Sequence, residues 1–171
     1  MENPQTARKW SDLRGIAVVS LADGNKVGTV DDFYFDPTTS QVYAFRVKTG
    51  LFKHKILHVA DIRGIGQDAI TASTEEAIQS ESGDSKLSSL IDGESLLSYK
   101  VMSASGTVVG SVGEILLDTS NPSATQITGV LLSGGLLQHR GAHSHTMIKA
   151  RDIHYGQHVL VIPDEIARTF Q

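Results

Sequence analysis

A chain of 171 residues is long enough for one mid-sized domain or two small ones, and its 40% apolar and 20% charged residues are ordinary globular composition. The absence of cysteine excludes disulfides, thiolate metal sites and cysteine nucleophiles, and a net charge of −4 disfavours general binding to phosphate backbones. No apolar run approaches the ~20 residues of a membrane helix, and the polar start "MENPQTARKW" lacks the apolar core of a secretory signal, so a cytoplasmic protein without a membrane span is expected.

In chain order, "KWSDL" is a short helix candidate. "IAVVSLADGNKVGTV" follows, two β-rich runs about an Asp-Gly turn signal, which is hairpin grammar. In "TVDDFYFD" the apolar alternation slips by one between Val30 and Phe33, and a bulge at Asp31-Asp32 would restore phase. "FDPTTSQV" reads as a turn. "VYAFRVK" predicts a strand with Tyr43, Phe45 and Val47 on one face and Ala44, Arg46 and Lys48 on the other. "GLFKHK" at 50–55 predicts a chain reversal at Gly50, with the apolar pair behind it folded back on the sheet. The stretch 73–92, "STEEAIQSESGDSKLSSLID", holds five acids and one lysine, an acidic connector with a helix candidate in "TEEAIQ".

Beyond the connector the pattern recurs. "DGNKVGTVDDFYFD" at 23–36 parallels "SGTVVGSVGEILLD" at 105–118, with Gly24, Val27, Gly28, Val30 and Asp36 matched by Gly106, Val109, Gly110, Val112 and Asp118. The slip recurs too, predicting a second bulge at Gly113-Glu114. "QVYAFRVKTGLFKHK" parallels "QITGVLLSGGLLQHR", and "DIRGIGQDAI" parallels "DIHYGQHVL". The chain ends on a helix candidate, "PDEIARTF". The expected organisation is a first β unit over 1–72, a connector over 73–90 and a second β unit over 91–171 with a short C-terminal helix. Seven of the ten aromatics lie in the first unit, so its core is built with larger side chains.

The segment "LRGIAVVSLADGNKVGTVDDFYFDP", with the later "VYAFRVKTG" and "VADIRGIGQDAI", closely resembles the PRC-barrel family. The second copy follows the same order less faithfully. That family is named for the cytoplasmic part of a photosynthetic reaction-centre subunit and supplies the C-terminal domain of a ribosome-maturation factor. The resemblance implies an all-β protein of two tandem small barrels acting as docking or assembly modules, with no family-wide catalytic residues.

Residues matched in both copies are read first as fold. Gly24, Gly28, Gly106 and Gly110 suit turns or bulges, and Asp36, Asp118, Asp61 and Asp152 suit turn capping. The differences are where a task is sought. Arg46 and Lys48 correspond to Leu131 and Ser133, so Leu131, with Leu136 and Leu137, predicts an apolar outer face on the second unit. Arg46, Lys48, Lys53 and Lys55 predict a basic strip on the first. Five of seven histidines lie between 139 and 158, and His139, His143 and His145 are metal-ligand candidates by residue type. No acid lies between 119 and 151 to complete such a set. No phosphate loop or nucleophile elbow is present.

The expected function is therefore a non-enzymatic adaptor without a cofactor. It would dock a protein partner, or a second copy in a homodimer, through Leu131, Leu136, Leu137 and the basic strip. A ribosome- or RNA-associated factor and a metal- or small-molecule-responsive sensor are the alternatives.

Overall fold

A computed structural model describes residues 7–134 and 147–170. The chain opens with β1 (Ala7–Lys9) and the one-turn helix α1 (Trp10–Leu13), then builds β2 (Ala17–Ser20), β3 (Lys26–Phe35), β4 (Val42–Gly50), β5 (Lys53–His58), β6 (Ile62–Ile65) and β7 (Ala69–Ala72). The connector contributes β8 (Ile78–Gln79) and several 3-10 turns. The order then repeats as β9 (Ile91–Asp92), α2 (Gly93–Leu96), β10 (Lys100–Ser103), β11 (Val108–Asp118), β12 (Gln126–Ser133), β13 (Met147–Lys149), β14 (His154–Tyr155) and β15 (Val159–Ile162), closed by α3 (Asp164–Ala167). The protein is mostly β, in two curled sheets with few short helices.

The sheets have one topology. The first runs β6-β7-β2-β3-β4-β5-β8 and the second β13-β12-β11-β10-β15-β14. In each, a parallel pair (β2 with β7, β10 with β15) sits within otherwise antiparallel ladders. The lead-in strands are exchanged. β1 pairs with β11 of the second sheet, Arg8 opposite Leu117, and β9 pairs with β3 of the first, Phe35 opposite Ile91. A further reciprocal contact lies between β4 and β12. Val42 N–H donates to the Thr125 carbonyl at 2.9 Å, and Ile127 N–H donates to the Ser40 carbonyl at 2.8 Å, about a Gln41–Gln126 bridge. Matched residues thus exchange matched bonds, the self-complementary pattern of a two-fold interface built within one chain.

Both predicted bulges are present. Register shifts between Val30 and Asp32 in β3 and between Val112 and Glu114 in β11. The alternation expected along β4 needs correction. A second shift pairs Tyr34 with Ala44 but Phe35 with Val42, leaving Tyr43 as the extra residue. Ala44 and Phe45 are both buried, and Tyr43 is half-buried with its hydroxyl on the connector. Thr128 is the extra residue in β12. The helix expected in "TEEAIQ" is also corrected to a single 3-10 turn, Glu75–Ala77, because Ile78 turns inward as the edge strand β8 against Leu57.

One contiguous hydrophobic cluster runs through both sheets, from Trp10 to Phe170. Trp10 stands beside β1, which belongs to the second sheet, yet its ring packs edge-on against Phe33 of the first, centroids 4.8 Å apart. Phe33 in turn contacts Phe35 and Phe45. Fully burying such aromatic side chains contributes ~2–3 kcal/mol each relative to exposure, so this cluster ties the two repeats together. Gly28 shows why a glycine is needed in β3: a side chain there would run into the Lys48 carbonyl and lie 2.9 Å from the Val47 Cγ1. Gly24 and Gly106, matched across the repeats, hold φ of +73° and +102° in the turns where a reversal requires it.

Candidate docking surface

The bulge carboxylates are spent on the fold. Asp32, 2% exposed, accepts the backbone N–H of Glu94 in α2 at 3.2 Å and of Phe33 at 2.8 Å. Its counterpart Glu114 accepts the backbone N–H and hydroxyl of Ser11 in α1, and the N–H of Ile115. Each repeat thus caps the lead-in helix of the other, satisfying N–H groups that a helix start leaves orphaned. Burial pushes the Asp32 carboxyl up to about 7, with the nearby Asp92 carboxylate adding to the rise. Asp32, Asp92 and Glu94 bring carboxylate oxygens within 4.8 Å of one another, a spacing that could hold a cation. Asp92 also accepts from Ser95 N–H and hydroxyl as the α2 N-cap, so Asp32 and Asp92 already have partners within the fold.

The connector is pinned to the first sheet through Asp84. Its Oδ2 accepts the Tyr43 hydroxyl at 2.7 Å and lies 2.7 Å from His58 Nε2, while Lys86 sits over the Tyr43 ring. The His58 and Tyr43 contacts hold the Asp84 carboxyl below the usual range. Burial and that same contact push the Tyr43 phenol up to about 12. Asp36 and Asp118 cap their turns as expected, each accepting from the residue two further on, Thr38 and Ser120.

On the outer face of the first sheet Arg46 is half-buried and bonded through Nε and Nη2 to Asp31, with His54 Nε2 3.4 Å from the same carboxylate. Burial works against the Arg46 charge, and the Asp31 contacts outweigh it and hold the guanidinium protonated. Arg46 is therefore part of an ion pair rather than a free charge. Lys48, Lys53 and Lys55 are exposed on the β4–β5 hairpin.

The second sheet replaces that ion pair on both sides at once. Leu131 stands where Arg46 does, and Gly113 stands where Asp31 does. Leu131 is half-buried between buried Val130 and Leu132, so it faces away from the core, with Met147 opposite it on β13. The Met147 side chain lies across Gly129, whose missing Cβ leaves room for its Cγ and sulfur. This apolar strip ends where the described residues end; Leu136, Leu137, His139, His143 and His145 fall outside them. His154 and His158 flank a strand-turn-strand, with the His158 ring edge-on to Tyr99.

One expectation is overturned. The apolar pair after Gly50 does not fold back: Leu51 is 78% and Phe52 88% exposed at the tip of the hairpin. The turn between Gly50 and Lys53 is too tight to return either side chain to the sheet, and Phe52 adopts φ +64°. A bulky aromatic at a left-handed position usually held by Gly or Asn shows only in the backbone, and nothing in "GLFKHK" itself signals this exposure.

Among the described residues no helix is long and apolar enough to cross a membrane. No curated protein matches the chain. The PRC-barrel domain model matches residues 5–78, from the lead-in before β1 to the start of β8. The second repeat lies beyond the matched segment and carries the same strand order. Over its first repeat, residues 5–78, the chain is therefore similar to the PRC-barrel domain family.

Proposed function

We propose that this protein is a non-enzymatic adaptor that docks a protein partner on the outer face of the second sheet, at Leu131 and Met147. The observation that carries this reading is the concerted exchange of the Arg46–Asp31 ion pair for Leu131 and Gly113. A water-facing strand gains nothing from losing both members of an ion pair, whereas a strand covered by a partner avoids desolvating two charges. The similarity of residues 5–78 to a family associated with docking and assembly supports the same reading. So does the way the close-packed carboxylates and the Asp84, His58 and Tyr43 cluster serve as caps and pins within the fold.

A pull-down from the source lysate, with and without ribonuclease, tests it. A defined protein is expected to survive ribonuclease and to be lost with Leu131→Asp, whose half-buried position leaves the far-UV spectrum unchanged. Equal capture by the wild type and Leu131→Asp would place the interface elsewhere. An empty pull-down would remove the stable-adaptor reading.

A further inference from the structure

In an antiparallel meander alternate turns share one end of the sheet, so the β2–β3 and β4–β5 turns lie together at one end of the first sheet. Among the described residues, three of the four large apolar side chains exposed to solvent sit in these two turns: Leu21 at 54%, Leu51 and Phe52. The fourth, Val108, belongs to the second sheet. The hairpin is left uncovered beyond its base, because β8 pairs with β5 only at Ile56 and Leu57. Phe52 holds its exposed position in a left-handed backbone conformation, where a glycine would make the turn without strain. Such a cost at a solvent-exposed aromatic points to use of the ring.

The Lys and Arg side chains of the β4–β5 hairpin, Arg46, Lys48, Lys53 and Lys55, have no acid among them on either strand. Lys48 pairs across the ladder with His54 and Lys55 with Val47, so Lys48 lies on one face of the hairpin and Lys55, with Lys53 two residues before it next to the apex, on the other. No acid occurs between Asp36 and Asp61. The nearest carboxylate across the ladder, Asp31, is held by Arg46. Asp23 in the neighbouring turn accepts the Asn25 N–H. The overall charge of −4 therefore does not describe this end, since the acids concentrate in the connector and the second repeat.

We propose that this end of the first sheet docks on an anionic bilayer surface, with Leu51 and Phe52 entering the headgroup boundary and Lys48, Lys53 and Lys55 engaging lipid phosphates. An apolar apex behind a basic collar matches the depth order of such a surface, apolar inside and phosphate above it. Lysine stems suit that arrangement because their methylenes lie along the apolar layer while the ammonium stays at the phosphates. A nucleic acid would use the lysines and one ring but leave both leucines in water. Two apolar side chains and three lysines make a reversible contact, not an anchor. The surface is distinct from Leu131, so failure of either reading leaves the other standing.

Co-sedimentation of the full chain with phosphatidylcholine vesicles, with and without phosphatidylglycerol, tests this. Binding is expected only with phosphatidylglycerol, weakened at least about tenfold by Leu51→Ser with Phe52→Ser. Lys53→Gln with Lys55→Gln, or added salt, should weaken it comparably. A Phe52→Trp variant should shift its emission to the blue on anionic vesicles, a signal the buried Trp10 does not supply. All these positions are exposed, and circular dichroism checks that the fold is kept. No binding to anionic vesicles, or binding unchanged by loss of Leu51 and Phe52, overturns the proposal. Equal binding without phosphatidylglycerol overturns the anionic assignment. Lysine-dependent binding to a single-stranded RNA with none to vesicles assigns the surface to nucleic acid instead.

Discussion

Asp32 is a carboxylate that the fold removes from water and uses as a cap. Two backbone N–H groups favour its charge, while burial and the neighbouring Asp92 oppose it more strongly, so its carboxyl titrates at about 7 against an ordinary 3.8. Between these values the folded chain holds a proton that the unfolded chain has released. Stability from this group is therefore full below about pH 4 and lost as pH rises through 7. A displacement of about three pH units corresponds to at most about 4 kcal/mol. Asp32→Asn keeps an amide oxygen to accept the same two N–H groups and removes the titration. Chemical denaturation of Asp32→Asn should give a stability that no longer falls between pH 4 and 7, and exceeds wild type at pH 8 by about 1–3 kcal/mol. Wild-type stability that rises across that window would show that the caps outweigh burial.

The bulge, the acid and the opposite helix act as one device at the level of elements. A bulge places an extra residue in the strand and re-aims its side chain. In β3 and β11 it turns a carboxylate out of the ladder towards the start of a one-turn helix in the other repeat. Helices this short have too few internal bonds to persist alone, so α1 and α2 depend on these acceptors and on burial of Trp10 and Leu96. Removing the acceptor with Glu114→Ala should cost about 1 kcal/mol, seen as a lower urea midpoint with an unchanged slope. Glu114→Gln should recover most of that, because an amide oxygen also accepts. The pattern slip of the bulges is legible in the sequence, since an apolar phase error appears at Val30 to Phe33 and again at Val112 to Ile115. The destination of the two acids is not, because Asp32 and Glu94 are separated by 62 residues and Ser11 and Glu114 by 103.

For the whole molecule, the exchange of β1 and β9 makes each sheet incomplete without the other repeat. The Val42–Thr125 and Ile127–Ser40 bonds and the shared cluster about Trp10 and Phe33 join them further. A unit of ~60 residues buries a marginal core alone, and this arrangement lets both draw on one core. Unfolding in urea should therefore be a single transition. Trp10 fluorescence, which reports the junction, should coincide with far-UV dichroism, which reports both sheets. Two resolved transitions would mean that the repeats unfold separately despite the exchanged strands.

The periodicity of apolar residues, the turn signals and the internal repeat were enough to determine an all-β chain, its duplicated strand order and both bulges, because these are set by neighbours within a few residues. The Asp36 and Asp118 turn caps were legible for the same reason. Arg46 and Leu131 could be recognised as unlike partners at matched positions, but the exchange of an ion pair for an apolar strip appears only once Asp31 and Met147 are brought beside them. Leu51 and Phe52 read as core by composition and stand in solvent, since a tight turn leaves their side chains no route back to the sheet. Tertiary structure decided which repeat each lead-in strand joins and what each buried carboxylate faces. Those outcomes follow from contacts between residues far apart in the chain, which local pattern does not encode.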